Sequence, residues 1–152
     1  MFKALAPGAR LRSDSAIPPL AGMGRVTLSV RDHEVSARFY RFVLGFRPER
    51  REYRRGVLRT GFSHPCGVLI DLVQYPDNFK GRFDHRRCGL DRLTLAVDNL
   101  GQLEAWEDRF TRLDVEHEPV SQGEEGSTLV FRDPDGTELA LFAPADPDTG
   151  ED

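Results

Sequence analysis

A six-residue pattern occurs twice in the chain, as RVTLSV at residues 25–30 and as RLTLAV at residues 92–97. Each copy alternates polar and apolar residues, which is typical of a β-strand with one buried face. Each copy is followed by a segment whose apolar residues have helical spacing. A strand and helix that recur in this way indicate that the chain folds as two copies of one supersecondary unit.

Turn and capping residues divide the first copy into one helix and three further strands. Asp32 is a candidate helix cap, and Gly45 is placed to end that helix. Apolar alternation then predicts strands over 46–53, 57–63 and 67–75. The helix is predicted to bury the apolar side chains of Val35, Phe39, Val43 and Leu44. The first copy therefore has the element order βαβββ.

The second copy has the same order. Asn99 is a candidate cap for its helix, and strands are predicted over 114–119, 127–132 and 137–143, the last two joined by the turn sequence DPDG at 133–136. We therefore expect an α+β fold in which two βαβββ repeats form a curved mixed sheet around a cavity. The predicted organisation is a flexible extension over 1–22, one domain over 23–144 (repeat one 23–76, linker 77–89, repeat two 90–144) and a disordered tail over 145–152.

Composition excludes several function classes. The net charge is −4 and the arginines are spread along the chain, which is not the pattern of a nucleic-acid-binding surface. No apolar run approaches the roughly 20 residues that a membrane helix needs, so no membrane partner is expected. Two cysteines and the absence of a signal-peptide pattern predict a cytoplasmic protein.

Strand alternation also predicts which side chains face the cavity. One set of alternate residues in the first and closing strands of each repeat is apolar and is expected to pack against the helices. The other set is expected to face the cavity and comprises Arg25, Thr27, Ser29, Asp71, Val73, Arg92, Thr94, Ala96, Glu138, Ala140 and Phe142. Symmetry pairs position 25 with 92 and position 71 with 140.

The segments FYRFVLGF at 39–46, GLDRLTLAV at 89–97 and FRDPDGTELALF at 131–142, together with the duplication, resemble the vicinal oxygen chelate superfamily. This superfamily includes glyoxalase I, extradiol dioxygenases, and fosfomycin- and bleomycin-resistance proteins. The resemblance implies the two-repeat fold and, because dimers are common in the family, a homodimer. It also implies where a metal would be held, since metal-dependent members take their ligands from the start of the first strand and from the closing strand of each repeat.

Those four positions hold Arg25, Asp71, Arg92 and Ala140 in this chain. A guanidinium group has no lone pair to offer a cation, and an alanine side chain has no donor atom. Because a transition metal normally takes three or more protein ligands, we predict no metal site and no cofactor. Glu138 is a candidate displaced ligand, but a cation there would face two guanidinium groups.

A second arrangement of potential metal ligands lies in the loops. His64 and Cys66 form one close pair, and His85 and Cys88 form another, a spacing that a structural zinc site tolerates. The alternative, which we favour, is that these are ordinary loop residues.

Three functions remain open for the cavity. We expect a metal-independent protein that binds a small anionic or aromatic oxygenated metabolite or antibiotic. An alternative is an isomerase, cyclase or lyase in which Arg25 and Arg92 stabilise an oxyanion while Asp71 or Glu138 moves a proton. A second alternative is a metal-dependent enzyme of the glyoxalase or dioxygenase type with displaced ligands. The residues predicted to bind the small molecule are Arg25, Thr27, Ser29, Tyr75, Arg92, Thr94 and Phe142.

Overall fold

The computed structural model describes residues 17–147 and shows one four-stranded sheet in each repeat. In repeat one the strands are β1 (Val26–Ser29), β2 (Arg47–Arg54), β3 (Val57–Ser63) and β4 (Leu69–Gln74). Their order in the sheet is β1-β4-β3-β2, with β1 parallel to β4 and the other pairs antiparallel. Positions 1–16 of the predicted extension and 148–152 of the predicted tail lie outside the described residues.

Repeat two has the same topology. Its elements are β5 (Leu93–Ala96), α2 (Leu100–Arg112), β6 (Ser121–Gln122), β7 (Gly126–Arg132) and β8 (Glu138–Pro144). The sheet order is β5-β8-β7-β6, and β5 again runs parallel to the closing strand. The α+β fold and the duplication predicted from the sequence are confirmed. No helix in the described part of the chain is long and apolar enough to cross a membrane.

The strand predicted over 114–119 is wrong. That segment contributes an isolated bridge between His117 and Phe131, and the edge strand β6 begins only at Ser121. Pro119 lies between the two and has no amide hydrogen to donate to the ladder, which accounts for the interruption.

The first helix begins as an α-helix, α1 (His33–Arg38), and continues as a π-helical turn over Phe39–Val43. The Asp32 carboxylate caps α1 by accepting hydrogen bonds from the amides of Glu34 and Val35, at 3.1 and 3.2 Å. Gly45 follows the π-helical turn with φ of 84°, a conformation that glycine adopts without strain. The predicted cap and the predicted end of the helix therefore lie where the sequence places them.

Three of the four side chains predicted to be buried by this helix do lie in or against the core, namely Phe39, Val43 and Leu44. The prediction is wrong for Val35, which is 49% exposed. Val35 lies in α1, where α-helical spacing turns His33 and Ser36 toward the rest of the molecule instead. Polar side chains therefore share the buried face of the helix with apolar ones.

One hydrophobic core extends across both repeats on the helix side of the sheets. The apolar residues of the first and closing strands, which were predicted to pack against the helices, belong to it, namely Leu28, Val30, Ile70, Leu72, Leu139 and Leu141. Phe131 of β7 joins the repeats, since its ring lies 6.5 Å from that of Phe39 and 4.5 Å from that of Phe110 in α2. Aromatic pairs at these centroid distances add stability beyond the area that they bury.

A buried polar contact, here called the inter-repeat junction, joins α1 to the DPDG turn and comprises Arg31, Ser36, Tyr40, Asp133 and Asp135. The Tyr40 hydroxyl donates to Asp133 at 2.9 Å, and the Ser36 hydroxyl donates to Asp135 at 3.1 Å. Arg31 donates to Asp135 from its backbone amide and from Nε, at 2.9 and 3.0 Å. Because both aspartates are buried, these hydrogen bonds replace the water that the carboxylates lose on folding.

Burial raises the pKa of Asp133, and the hydrogen bond from Tyr40 opposes that rise. Replacing Tyr40 with phenylalanine removes this donor from a buried carboxylate. We expect Tyr40→Phe to lower the free energy of unfolding by about 1–3 kcal/mol, measured by urea denaturation at pH 7. Tyr53→Phe is the matched control, because Tyr53 is 74% exposed and its change is expected to stay within about 0.5 kcal/mol.

The effect of Tyr40→Phe is also expected to depend on pH. The Tyr40 hydroxyl stabilises the ionised form of Asp133, so its loss raises the pKa of that carboxyl further. The destabilisation is therefore greatest where the carboxylate is ionised, and it shrinks as the pH falls through the raised pKa. A destabilisation that is equal at pH 7 and at acid pH would contradict the assigned contact.

Candidate functional site

Arg25 and Asp71, both predicted to face the cavity, form an ion pair on the sheet face that points away from the helices. Arg25 immediately precedes β1, and Asp71 lies in the neighbouring strand β4. Nη1 of Arg25 donates to both carboxylate oxygens of Asp71, each at 3.1 Å. Asp71 is 4% exposed, whereas the side chain of Arg25 is 56% exposed. The aspartate thus anchors an arginine that remains open to solvent.

This pair lines a cavity of about 220 Å³, here called the arginine cavity. Its lining residues are Arg25, Arg50, Glu52, Arg59, Gly61 and Asp71. Sequence analysis missed Arg50, Glu52 and Arg59. The signal for Arg59 was present, because alternation along β3 places it on the same face as Gly61, the direct neighbour of Asp71 in the sheet.

Gly61 makes room for the buried carboxylate. A Cβ atom at this position would lie 3.3 Å from Oδ1 of Asp71, which is tighter than an ordinary contact. The corresponding neighbours in the sheet of repeat two are Val130 and Ala140, so there the larger residue replaces the glycine and the smaller one replaces the aspartate. Both are buried. One repeat therefore pairs a glycine with an acid, and the other pairs a valine with an alanine.

The arginine cavity has donors left over for a ligand. Arg50 is paired with Glu52 at 2.6 Å, and Arg25 uses Nη1 for Asp71. Within residues 17–147, Arg59 forms no ion pair, and the Nε and Nη2 groups of Arg25 donate to no side chain. Three guanidinium groups against two carboxylates leave the lining with a net positive charge. Such a site suits an anion that accepts hydrogen bonds from guanidinium groups.

In repeat two, Arg92 and Glu138 are also paired. Nε and Nη2 of Arg92 donate to Oε2 of Glu138 at 2.8 and 2.7 Å. The other oxygen, Oε1, lies 2.9 Å from Nη2 of Arg132, the neighbour of Glu138 in the sheet. Arg132 was missed by sequence analysis, although strand alternation placed it on this face. Glu138 is therefore held between two arginines.

The structure does not bring the two charged pairs together. The arginine cavity is lined by repeat one alone, and in the described part of the chain no hydrogen bond or ion pair joins Arg25 or Asp71 to Arg92 or Glu138. Each repeat carries its own charged centre.

The remaining predicted ligand-binding residues are dispersed. Ser29 and Tyr75 line a larger cavity of about 530 Å³, where the linker meets both repeats. Thr27 and Thr94 are exposed on β1 and β5, where they neighbour Asp71 and Ala140 in the sheets. Phe142 is half-buried in β8.

The loop cysteines and histidines form no metal cluster in the structure. Cys66 and Cys88 are free and exposed, and the backbone amide of Cys66 donates to Nδ1 of His64 at 3.1 Å. Among residues 17–147, no three histidine, cysteine, aspartate or glutamate side chains converge in a way that could hold a metal ion.

The chain matches the family model described as the Glyoxalase/Bleomycin resistance protein/Dioxygenase superfamily over residues 22–141. The chain belongs to this superfamily. The match spans both repeats and the linker between them, in agreement with the duplicated topology. No protein of curated function matches the chain.

Solved structures with the same fold include a glyoxylase/bleomycin resistance protein/dioxygenase domain from Frankia sp. EAN1pec. That domain is 28% identical, with a TM-score of 0.79, and the match covers 84% of this chain and 100% of the domain. A glyoxalase family protein from Enterococcus faecalis is 20% identical, with a TM-score of 0.68 and coverage of 80% and 97%. The fosfomycin resistance protein FosX from Listeria monocytogenes is 18% identical, with a TM-score of 0.67 and coverage of 84% and 94%.

The side chains present do not fit the metal that some members of the superfamily carry. At the four positions that correspond to its ligands, Arg25 and Arg92 offer only donors, and Ala140 offers no polar atom. Among these four residues only Asp71 could ligate, and both of its oxygens already accept from Arg25. The candidate displaced ligand Glu138 is likewise held between Arg92 and Arg132. The chemistry of this face is that of guanidinium groups and carboxylates.

We expect the purified protein to hold well below one equivalent of zinc, iron, manganese or nickel, measured by elemental analysis after dialysis against metal-free buffer. We also expect no saturable binding when Ni²⁺ or Mn²⁺ is titrated into it. One tightly held equivalent that disappears in Asp71→Ala would contradict this prediction, whereas metal retained in that variant would locate a site elsewhere.

Proposed function

We propose that this chain is a metal-independent binding protein for a small oxygenated anion, held in the arginine cavity. The observation that supports this proposal is the convergence of Arg25, Arg50 and Arg59 on one cavity whose two carboxylates leave a positive charge uncompensated. Planar guanidinium groups donate parallel hydrogen bonds to carboxylate, phosphate and phosphonate oxygens. At about 220 Å³ the cavity is smaller than a typical pocket for a drug-sized molecule, which restricts the ligand to a small metabolite or antibiotic.

Asp71 has a positioning role in this proposal. Its carboxylate holds Nη1 of Arg25, which leaves Nε and Nη2 available as donors to a ligand in the cavity that Arg25 lines. Removing one partner of a buried ion pair leaves the other without compensation. The pair therefore orders Arg25 before the ligand arrives, which reduces the conformational entropy that binding must remove.

Catalysis is the second candidate, and the location of Asp71 supports it. A buried carboxylate and an arginine with free donors line the same cavity, so a bound molecule would meet a proton acceptor beside a group that stabilises an oxyanion. Asp71→Asn separates the two functions. It keeps an oxygen that accepts from Nη1 of Arg25 and removes the carboxylate that would accept a proton. Because the ion pair is also lost, binding is expected to weaken, so turnover is measured at ligand concentrations that saturate the variant.

The binding test uses thermal shift screening with small carboxylates, phosphates and phosphonates, followed by calorimetry on the compounds that stabilise the protein. Fosfomycin is one probe in the panel, because fosfomycin resistance proteins share the fold. We expect Arg25→Gln and Arg59→Gln each to weaken binding at least tenfold, because each removes charge-assisted hydrogen bonds worth about 1.5–3 kcal/mol.

Arg112→Gln is the matched control, because Arg112 is an exposed arginine at the end of α2, outside the arginine cavity. It makes the same change in net charge and is expected to leave the dissociation constant unchanged. Equal weakening by all three substitutions would show a long-range charge effect and would contradict the proposed site. A product detected on incubation with the ligand would establish the enzyme in place of the binding protein.

The chain is further proposed to form a homodimer in which repeat two of one copy covers the arginine cavity of the other. This is supported by a cavity that repeat one lines alone, and by a separate charged centre on the equivalent face of repeat two. We expect sedimentation equilibrium to give twice the chain mass. A monomer at micromolar concentration that still binds the ligand would contradict the dimer and leave the binding proposal intact.

A further inference from the structure

A second cavity lies on the opposite side of the first sheet, between the first helix and the strands β2 and β3. Its volume is about 230 Å³. Thr60 and Phe62 of β3 line it, and they alternate with Arg59 and Gly61, which line the arginine cavity. The two cavities therefore lie on opposite faces of β3 and share none of its residues, whereas Arg50 of β2 lines both. The second one is here called the helix-side cavity.

Two buried polar side chains that line the helix-side cavity have no hydrogen-bond partner. His33 is 2% exposed, and neither of its ring nitrogens forms a hydrogen bond. Its Nδ1 lies 3.7 Å from the Glu34 carboxylate, beyond hydrogen-bond distance. Thr60 is 5% exposed, and its hydroxyl is also unpaired. Buried polar groups in native proteins nearly always have partners, so two such groups lining one cavity point to an occupant.

Burial lowers the pKa of His33, and the neighbouring Glu34 carboxylate opposes that shift. The imidazole is therefore neutral at pH 7 and offers one donor and one acceptor. The Thr60 hydroxyl likewise donates and accepts. The polar group that complements both is a hydroxyl, because it too can donate one hydrogen bond and accept others.

The rim of the helix-side cavity is cationic and its walls are partly apolar. Arg38 and Arg41 line it, and neither forms an ion pair within residues 17–147. Arg41 lies over the ring of Phe42, with its guanidinium carbon 5.0 Å from the ring centroid. Phe42 is 60% exposed and is presented by the π-helical turn, a type of irregularity that often occurs at functional sites.

From this arrangement we propose that the helix-side cavity binds a small aromatic hydroxy acid. Its hydroxyl pairs with His33 and Thr60, its ring lies against Phe42 and Phe62, and its carboxylate meets the rim arginines Arg38 and Arg41. The two arginines of β2 that line this cavity are already paired, Arg50 with Glu52 at 2.6 Å and Arg51 with Glu34 at 3.1 Å. The site lies on the opposite face of β3 from the arginine cavity, and Arg50, which lines both cavities, makes none of the proposed contacts.

The test uses 4-hydroxybenzoate as the probe and follows the histidine ring signals by NMR. The chain has four histidines, so the signal of His33 is assigned from its loss in His33→Gln. We expect a saturable shift of the His33 signal on titration. Two matched compounds dissect the contacts, since benzoate lacks the hydroxyl and 4-hydroxybenzamide lacks the charge. Each is expected to bind at least tenfold more weakly than 4-hydroxybenzoate.

Two variants locate the site. Thr60→Val keeps the shape of the side chain and removes the hydroxyl, and it is expected to weaken 4-hydroxybenzoate binding at least tenfold. Arg112→Gln alters an exposed arginine at the end of α2 that lines neither cavity, and it is expected to leave that affinity unchanged. The proposal is overturned by the absence of saturable binding, by equal affinity for benzoate, or by binding that is retained at full strength in Thr60→Val.

Discussion

Two buried aspartates of the DPDG turn are the contact on which the assembly of the two repeats depends. Asp133 and Asp135 reach from repeat two to Tyr40 and Ser36 on the first helix of repeat one. A carboxylate removed from water is tolerated only where donors surround it, so neither repeat satisfies these groups alone. The same junction holds the first helix against both repeats, which aligns the shared core around Phe131. A turn that looks merely local thus defines how two similar units become one domain.

The strand β3 gives the first repeat two faces of different chemistry. Alternation sends Arg59 and Gly61 to the arginine cavity and Thr60 and Phe62 to the helix-side cavity. One face is charged and holds a buried acid, while the other combines neutral polar groups and aromatic rings with a cationic rim. Because adjacent residues in a strand point in opposite directions, one seven-residue segment supports both without either disturbing the other.

The features predicted correctly from the sequence are those that short-range patterns encode. Alternation identified the core residues of the first and closing strands, and capping residues placed both helices. The contact of Tyr40 with Asp133 joins residues 93 positions apart, and no local pattern signals it. Val35 was predicted to be buried, but α1 turns the polar side chains of His33 and Ser36 toward the rest of the molecule and leaves Val35 exposed. Arg59 was missed because it lies in β3, and cavity-facing residues were predicted only for the first and closing strands of each repeat.

The contrast between the two sheets at one equivalent position limits how this scaffold can change. Gly61 stands beside Asp71 in repeat one, whereas Val130 stands beside Ala140 in repeat two. The larger residue of the pair lies on the closing strand in repeat one and on the neighbouring strand in repeat two. Both pairs are closely packed, so one residue can become larger only if its neighbour becomes smaller. An acid introduced at position 140 would meet the valine, and a glycine introduced at position 130 alone would leave a cavity. Restoring a carboxylate to the second sheet therefore takes two substitutions, and either one made first is destabilising, so the two repeats are held in their divergent states by packing alone.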